Sequence, residues 1–490
     1  MQKNRILWAD DEIDLLKPHI LFLEGKGYAI TPVNSGSDAL EQIDHNEFDL
    51  VFLDEHMPGM SGLETLNYIK STHPNVPVVM ITKNEEEAIM EEAIGSKIAD
   101  YLIKPVNPNQ ILLSAKKILD NKRLISDRTN IGYQREFQEL SMALGEVDGH
   151  AEWAELYQKL LYWNIEIDRS EDKSMREVLD MQWTEANDYF SQFVMDNYQG
   201  WIQEPNSPRP MLSHRVLQKK VFPEIAEEPV FLIVIDNLRF DQWEELEPDI
   251  AEMFTIKEQD YYYSILPTTT SYARNSLFAG LLPLDISKRD AEYWVGEDEE
   301  DGKNKFEHEL LKRNLDRSGV NVKSTYRKIH NVKERKQVTE HLSDLLQNPF
   351  NVLVYNFVDM LSHARTDMRM IQELAPDESA YRSLTKSWFL HSNLYETLKL
   401  LSEQKVKVMI TTDHGTIRVK NPLKIVGDKN VNTNLRYKQG KNLAVDTKKC
   451  FHVTKPELIG LPKVNVSTSF AFTHGTTFFA YPNNFNHYAR

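Results

Sequence analysis

The sequence predicts an α/β multidomain protein in which two parallel-sheet domains flank a helical connector, and three observations carry that prediction. Short apolar runs alternate with helical patterns over residues 1–120 and again beyond residue 210. Between them, from about Leu124 to Ile202, apolar residues recur at intervals of three and four with no strand-like run. Carboxylates stand at the ends of several strand-like runs in both outer segments. At 490 residues and 41% hydrophobic, the chain has length for about three domains and enough apolar side chains to fill their cores.

In the first segment the strand-like runs are Ile6 to Ala9, Leu50 to Leu53, Val76 to Ile81 and Tyr101 to Ile103. Residues 1–120 hold 10 Lys and Arg against 20 Asp and Glu, so most of the chain's net charge of −17 is concentrated there. That acidity repels polyphosphate at long range and argues against a general nucleic-acid coat. The connector, 121–204, carries its apolar stripes on Trp153, Leu156, Leu160 and Trp163, then on Leu179, Trp183, Ala186, Phe190 and Phe193. Stripes of this kind are core, not an aromatic ligand pocket. Ser174 with Glu177 fits a capping box at the start of the last helix, and Gly200 fits its end. Pro205, Pro208 and Pro210 then mark a boundary. In the third segment, 205–490, the runs are Val230 to Ile235, Val352 to Val358 and Val406 to Thr411, and the acidic stretch Glu297 to Asp301 reads as a solvated loop.

One cysteine, Cys450, can form neither an intramolecular disulfide nor a thiolate zinc cluster, so a cytoplasmic location is expected and any metal must use Asp and His. The amino terminus meets charge within a few residues, and no apolar run approaches the ~20 residues of a membrane helix.

Ligands of an open parallel sheet gather at the carboxyl ends of its strands. There the first domain places Asp10 and Asp11, Asp54, Thr82, and Lys104 followed by Pro105. Crowded carboxylates call for a cation, and an all-oxygen set suits Mg²⁺. Asp54 can then attack phosphorus to give an acyl phosphate, with Lys104 neutralising the phosphoryl oxygens. These residues, with Met57, Pro58 and Gly59 behind Asp54, resemble a response-regulator receiver domain. The resemblance covers residues 1 to about 120. It implies a flavodoxin-like fold, one Mg²⁺ on Asp10, Asp11 and Asp54, phosphotransfer from a sensor histidine kinase, and Thr82, Tyr101 and Lys104 as the switch.

Carboxylates also close the strands of the third segment: Asp236, Asp359, and Asp413 with His414. His363 lies four residues beyond Asp359, and His474 sits in the late segment FTHGTTFF. Asp and His without Cys suit a borderline dication such as Zn²⁺ or Mn²⁺. Asp359 and His363, at i and i+4, can face one ion from the first turn of a helix, and Asp413 and His414 can both reach a metal only from a turn, which Gly415 permits. The stretch Pro267 to Ser271 holds the candidate nucleophiles Thr268, Thr269 and Thr270. A dication lowers the pKa of a hydroxyl, and two of them about 4 Å apart could clamp the attacking and leaving oxygens of an in-line displacement.

The order Asp, Thr, Asp with His at i+4, Asp-His-Gly and a late His resembles the alkaline phosphatase superfamily, and more closely its PglZ domains. The resemblance implies one zinc on Asp236, Thr270, Asp413 and His414 and a second on Asp359, His363 and His474. It favours Thr270 as nucleophile, while Thr268 and Thr269 stay open, and makes Arg239 and Asn275 phosphate contacts. Residues 416–450 hold nine Lys and Arg against two Asp. Basic loops are usually solvated faces, but this position suits nucleotide or oligonucleotide phosphodiesters.

A receiver, a helical bundle and a PglZ-like domain in this order resemble the PorX-type regulators of Bacteroidetes. That resemblance implies a zinc-dependent phosphodiesterase output, control of type IX secretion, an extracytoplasmic-function sigma factor as partner, and dimerisation on phosphorylation. The alternative is a phosphorylation-switched dimeric scaffold whose metal site is structural. No helix-turn-helix with a basic recognition face is apparent, so a direct DNA-binding domain is not expected.

Overall fold

The computed structural model describes residues 4–82, 98–170, 174–204, 208–226, 228–296, 302–329, 338, 340–427, 431–480 and 488–489, with the side chains of 120–128 and 488–489 set aside. Pro205 and the acidic stretch Glu297 to Asp301 lie outside the described residues. The chain divides into two compact units, residues 1–134 with 169–174, and residues 135–168 with 175–490.

In the first unit, strands β1 (Arg5–Ala9), β2 (Ala29–Val33), β3 (Leu50–Asp54), β4 (Val78–Thr82) and β5 (Asp100–Ile103) form one sheet in the order β2-β1-β3-β4-β5. Every pair is parallel. This is the flavodoxin-like topology. The central strands β3 and β4 are buried along their whole length, and their side chains alternate into two apolar clusters, one on each face of the sheet. Strand β2 has no sequence signal because Pro32 interrupts a half-polar run, a substitution that an edge strand tolerates. Ser61 and Glu64 form a capping box that starts the helix Gly62–Thr72 directly behind Asp54.

Three helices follow, Pro108–Glu146, His150–Arg169 and Arg176–Gln203. Trp153, Leu156, Leu160, Trp163, Leu179 and Ala186 are buried, as their spacing predicts. The end signals differ from expectation. The last helix begins at Arg176 after Met175, with no side-chain cap, so the Ser174–Glu177 box does not form. It also runs past Gly200 to Gln203, because Tyr198 and Trp201 are drawn into one core with Leu212, Ile265 and Phe470. That shared core accounts for the last connector helix falling in the same compact unit as the C-terminal domain, whereas residues 121–134 and 169–174 of the connector fall in the first unit.

The second parallel sheet comprises β6 (Val230–Ile235), β7 (Ser324–Ile329), β8 (Phe350–Tyr355) and β9 (Lys407–Thr411) in the order β7-β8-β6-β9. Strand β7, polar and half-buried at the edge, carries no continuous apolar run to announce it. Strand β8 stops at Tyr355 instead of reaching Val358, since the helix Phe357–Asp367 takes over. Beyond β9, strands β10 (Tyr437–Lys441), β11 (Cys450–Val453) and β12 (Thr468–Thr473) make an antiparallel sheet in the order β10-β12-β11. Part of the basic stretch is consumed by this sheet. Lys438 is buried, donating to the Asn432 carbonyl at 2.8 Å, and burial lowers its pKa to about 8. Among the described residues, no helix is long and apolar enough to cross a membrane.

Candidate functional site

The first unit brings its sequence-predicted residues together at the carboxyl edge of the sheet. Oxygens of Asp10, Asp11 and Asp54 lie within 4.8 Å of one another, with Asp10 and Asp54 buried and Asp11 exposed. Lys104 Nζ is 2.9 Å from Asp10 Oδ2 and 3.0 Å from Asp54 Oδ1. Burial raises the pKa of the Asp54 carboxyl and outweighs the Lys104 hydrogen bond, with the Asp10 and Asp11 charges adding to the rise. Burial opposes the Lys104 ammonium, but its bonds to Asp10 and Asp54 prevail and its pKa is raised. Three carboxylates against one ammonium leave an oxygen-only set that fits Mg²⁺.

Thr82 is buried at the end of β4, opposite Ile103 of β5, and Tyr101 is half-buried against the core face that contains Leu53 and Met80. Gly59 follows Met57 and Pro58 with a φ of 88°, which only glycine adopts freely. Gly62 is required for space: a Cβ there would stand 2.2 Å from the carbonyl oxygen of Asp54.

In the second unit, the sheet β7-β8-β6-β9 places β6 beside β9, so the residues that follow these two strands meet. Asp236 leaves β6, and Asn237, with a φ of 64°, turns the chain so that its N–H donates to Asp413 Oδ1 at 3.2 Å. The His414 N–H donates to the same oxygen at 3.0 Å. Ligand atoms of Asp236, Asp413 and His414 lie within 4.8 Å of one another, all buried. Thr270 joins them. Its Oγ1 is 2.8 Å from His414 Nε2 and 3.4 Å from Asp236 Oδ1. Thr269 Oγ1 instead pairs with Ser271 at 3.3 Å, and Thr268 is exposed.

Asp359 and His363 meet at 3.2 Å on the helix Phe357–Asp367, and Asn237 Nδ2 donates to Asp359 Oδ1 at 3.3 Å. His474 does not join them. Its Nδ1 faces Asp188 at 3.8 Å, and the Gly475 N–H donates to Ser191 Oγ at 3.0 Å, which ties this turn to the connector helix. Asp359, His363 and His474 therefore do not form a three-donor group, and the expected second metal set is not assembled.

The two expected phosphate contacts are also engaged elsewhere. Arg239 Nε and Nη2 donate to Asp241 at 2.9 and 2.7 Å, and its Nη1 donates to Glu378. Asn275 is buried, donating to the carbonyls of Ser271 and Lys303 at 2.8 Å each. The adjacent residue, Arg274, is the one sequence reasoning missed. It is 2% exposed, with Nη1 2.5 Å from Asp236 Oδ2 and 3.8 Å from Asp413 Oδ2, and Nε donating to Glu307 at 2.6 Å. The available signal was its spacing of four from Thr270, which puts both on one side of the π-helical turn Thr270–Arg274.

Burial pushes the Asp236 carboxyl pKa well up, with repulsion from Asp413 and Asp359 adding to the rise against the pull of Arg274. Asp413 Oδ2 is buried with no hydrogen-bond partner among the described residues. A buried set of two carboxylates, an imidazole and a hydroxyl, with an unsatisfied oxygen, fits a zinc-like dication.

Three family models match the chain: a response regulator receiver domain over residues 6–116, a PorX response regulator linker domain over 123–202, and a BREX system PglZ alkaline phosphatase-like domain over 216–489. The transcriptional regulatory protein ZraR of Klebsiella oxytoca is 37% identical over 119 residues, 24% of this chain and 27% of ZraR. ResD of Bacillus subtilis is 31% identical over 117 residues, 24% of this chain and 48% of ResD. The chain thus spans from about a quarter to about half the length of these curated relatives. Among solved structures, a CheY-like receiver domain protein from Methanospirillum hungatei JF-1 is 29% identical with a TM-score of 0.23, covering 24% of this chain and 96% of that one. The receiver domain of NtrX from Brucella abortus is 32% identical with a TM-score of 0.22, covering 24% and 98%.

Proposed function

The chain belongs to the PglZ alkaline phosphatase-like family, in a PorX-type response regulator with a receiver and a linker ahead of the PglZ domain, and from that premise we propose that it is a phosphorylation-controlled phosphodiesterase. The receiver implies a cognate sensor kinase. In this reading Asp54 attacks the phosphorus of the kinase's phosphohistidine, the P–N bond breaks, and Lys104 balances the charge of the acyl phosphate.

One observation carries the output reading: of three adjacent threonines, it is the Thr270 hydroxyl that stands among Asp236, Asp413 and His414. Thr270 gives up its proton to solvent and its oxygen attacks phosphorus, the leaving alkoxide departs and is protonated by water to the alcohol, and a second water cleaves the threonine-linked ester to restore Thr270 and release a phosphomonoester. Zinc held by Asp236, Asp413, His414 and Thr270 would supply Lewis acidity at that point. Asp359 and His363 stand nearby as two arms of a second position. Arg418, Lys420, Lys424, Lys441, Lys448 and Lys449 remain exposed, which supports an anionic substrate such as a nucleotide or oligonucleotide diester. Dimerisation on phosphorylation, a sigma-factor partner and control of type IX secretion complete the reading.

The test is hydrolysis of bis(p-nitrophenyl) phosphate by the zinc-loaded full chain. Thr270→Ala is expected to lose turnover on the order of 10³-fold or more, while Thr269→Ala stays within a few-fold of wild type. Full activity in Thr270→Ala would remove Thr270 from the mechanism; normal signalling by a Thr270→Ala strain beside none by an Asp54→Ala strain would instead favour the scaffold reading, in which phosphorylation of Asp54 alone carries the signal.

A further inference from the structure

Behind the metal-type cluster lies a second layer of polar residues that the proposed reaction does not use. Arg274 faces two ways: its Nη1 meets Asp236 Oδ2 and its Nε donates to Glu307 Oε1. Glu307 is fully buried, yet it is satisfied on all sides. Lys328 Nζ lies 2.7 Å from its Oε2, Tyr326 donates to the same oxygen, and Asn304 Nδ2 donates to its Oε1 at 2.9 Å. Asn304 Nδ2 also donates to the backbone carbonyl of Thr270 at 2.9 Å. The path closes on itself: Thr270, one helical turn to Arg274, Glu307, Asn304, and back to Thr270.

We propose that Arg274, locked by Glu307 and Asn304, is the positioning residue of this site. It fixes Asp236 so that Oδ2 is held from behind and Oδ1 is presented to Thr270 and His414. The argument is geometric. A carboxylate has two oxygens and, unsupported, rotates between them; here one is taken by a guanidinium 2.5 Å away and the other is 3.4 Å from the Thr270 hydroxyl. Arg274 in turn cannot swing, because its Nε is bound to a glutamate anchored by strand β7 through Tyr326 and Lys328. Partners behind a ligating carboxylate tune affinity by about 10–100-fold when removed. The same ring holds the Thr270 backbone, so the orientation of the ligand and that of the nucleophile are set together. This role explains why a cation is buried among groups that also suit a metal. Arg274 neutralises the buried Glu307 and, as an ion pair, one face of Asp236, while neither Asp236 Oδ2 nor Asp413 Oδ2 has a hydrogen-bond partner among the described residues.

The inference rests on the metal-site reading and is tested by zinc affinity, measured on the full chain by competition with a chromogenic chelator. Arg274→Met is expected to weaken zinc binding about tenfold or more. Arg274→Lys, which keeps the charge but not the two-sided reach, should bind zinc more tightly than Arg274→Met and less tightly than wild type. If Arg274→Met does not fold, Glu307→Gln carries the test: it keeps the shape, releases Arg274, and should weaken zinc by a similar factor. Zinc affinities within twofold of wild type in the folded variants, whatever their melting temperatures, would overturn the positioning role. A wild-type chain that binds zinc without hydrolysing diesters would remove the phosphodiesterase and leave this role standing. One that binds no zinc would remove both.

Discussion

Arg382 and Asp168, 214 residues apart in the chain, are joined at 2.6 Å, with Arg382 Nη2 as donor. The pair belongs to a ladder of alternating charge. Arg176 Nη1 lies 2.7 Å from Asp168 Oδ1, Arg382 Nη1 is 3.3 Å from Asp241 Oδ2, Asp241 holds Arg239, and Glu378 ties Arg239 to Arg365. The ladder starts on the connector helices and ends on the helix that carries Asp359 and His363.

Removing the centre of that ladder leaves Asp168 and Asp241 without their shared guanidinium. Breaking a buried pair from one side costs about 3–5 kcal/mol, because the desolvated partner stays charged. Arg382→Ala is therefore expected to lose about 3 kcal/mol or more in urea unfolding of the second unit, and a loss under 1 kcal/mol would show that the ladder is solvated in practice.

At Gly62 the constraint is steric. A Cβ would meet the Asp54 carbonyl oxygen at 2.2 Å and Glu55 Cα at 2.8 Å, both backbone atoms that cannot rotate away. Gly62→Ala should destabilise the receiver by about 1–3 kcal/mol in denaturant titration and slow acceptance of phosphate by Asp54 from a small-molecule phosphodonor. Unchanged stability would mean that the helix Gly62–Thr72 shifts freely.

His214 gives a pH signature. Burial depresses its pKa to about 3, with repulsion from Arg215 and Arg209 in the same direction. The folded protein keeps the imidazole neutral while the unfolded chain titrates near 6.5, so this contribution is whole above about pH 6.5 and is lost as pH falls toward 3. By pH 5 the loss is about 2 kcal/mol, 1.4 kcal/mol for each unit below 6.5. Wild type should lose about that much more stability than His214→Gln between pH 7.5 and pH 5, and parallel curves would contradict the burial argument.

Much of the first site was legible because its residues sit at the ends of strands that the apolar runs announce. Asp10, Asp54, Thr82 and Lys104 each follow or close such a run, and a parallel sheet carries them to one edge. Asp236, Asp413 and His414 were legible for the same reason, whereas Thr270, which opens the π-helical turn Thr270–Arg274 and ends no strand, was only one of three candidate threonines. His474 lies apart from Asp359 and His363 because it follows β12 of the antiparallel sheet, whose turn is held by Ser191 of the connector. Arg239 and Asn275 read as phosphate contacts only while their partners were invisible. Arg274 escaped notice because a lone arginine in sequence has no sign of burial.

The sequence by itself determined the order of the domains, the flavodoxin-like sheet and the residues that end its strands, since apolar periodicity and short-range spacing are local properties of the chain. Tertiary structure alone decided which of three threonines enters the carboxylate cluster, where Arg274 and Arg382 spend their charge, and that the last connector helix shares a core with the C-terminal domain. Those outcomes depend on burial and on contacts between residues far apart in the chain. A buried charge must find whatever partner the packed fold brings to it, and no local pattern records which one that will be.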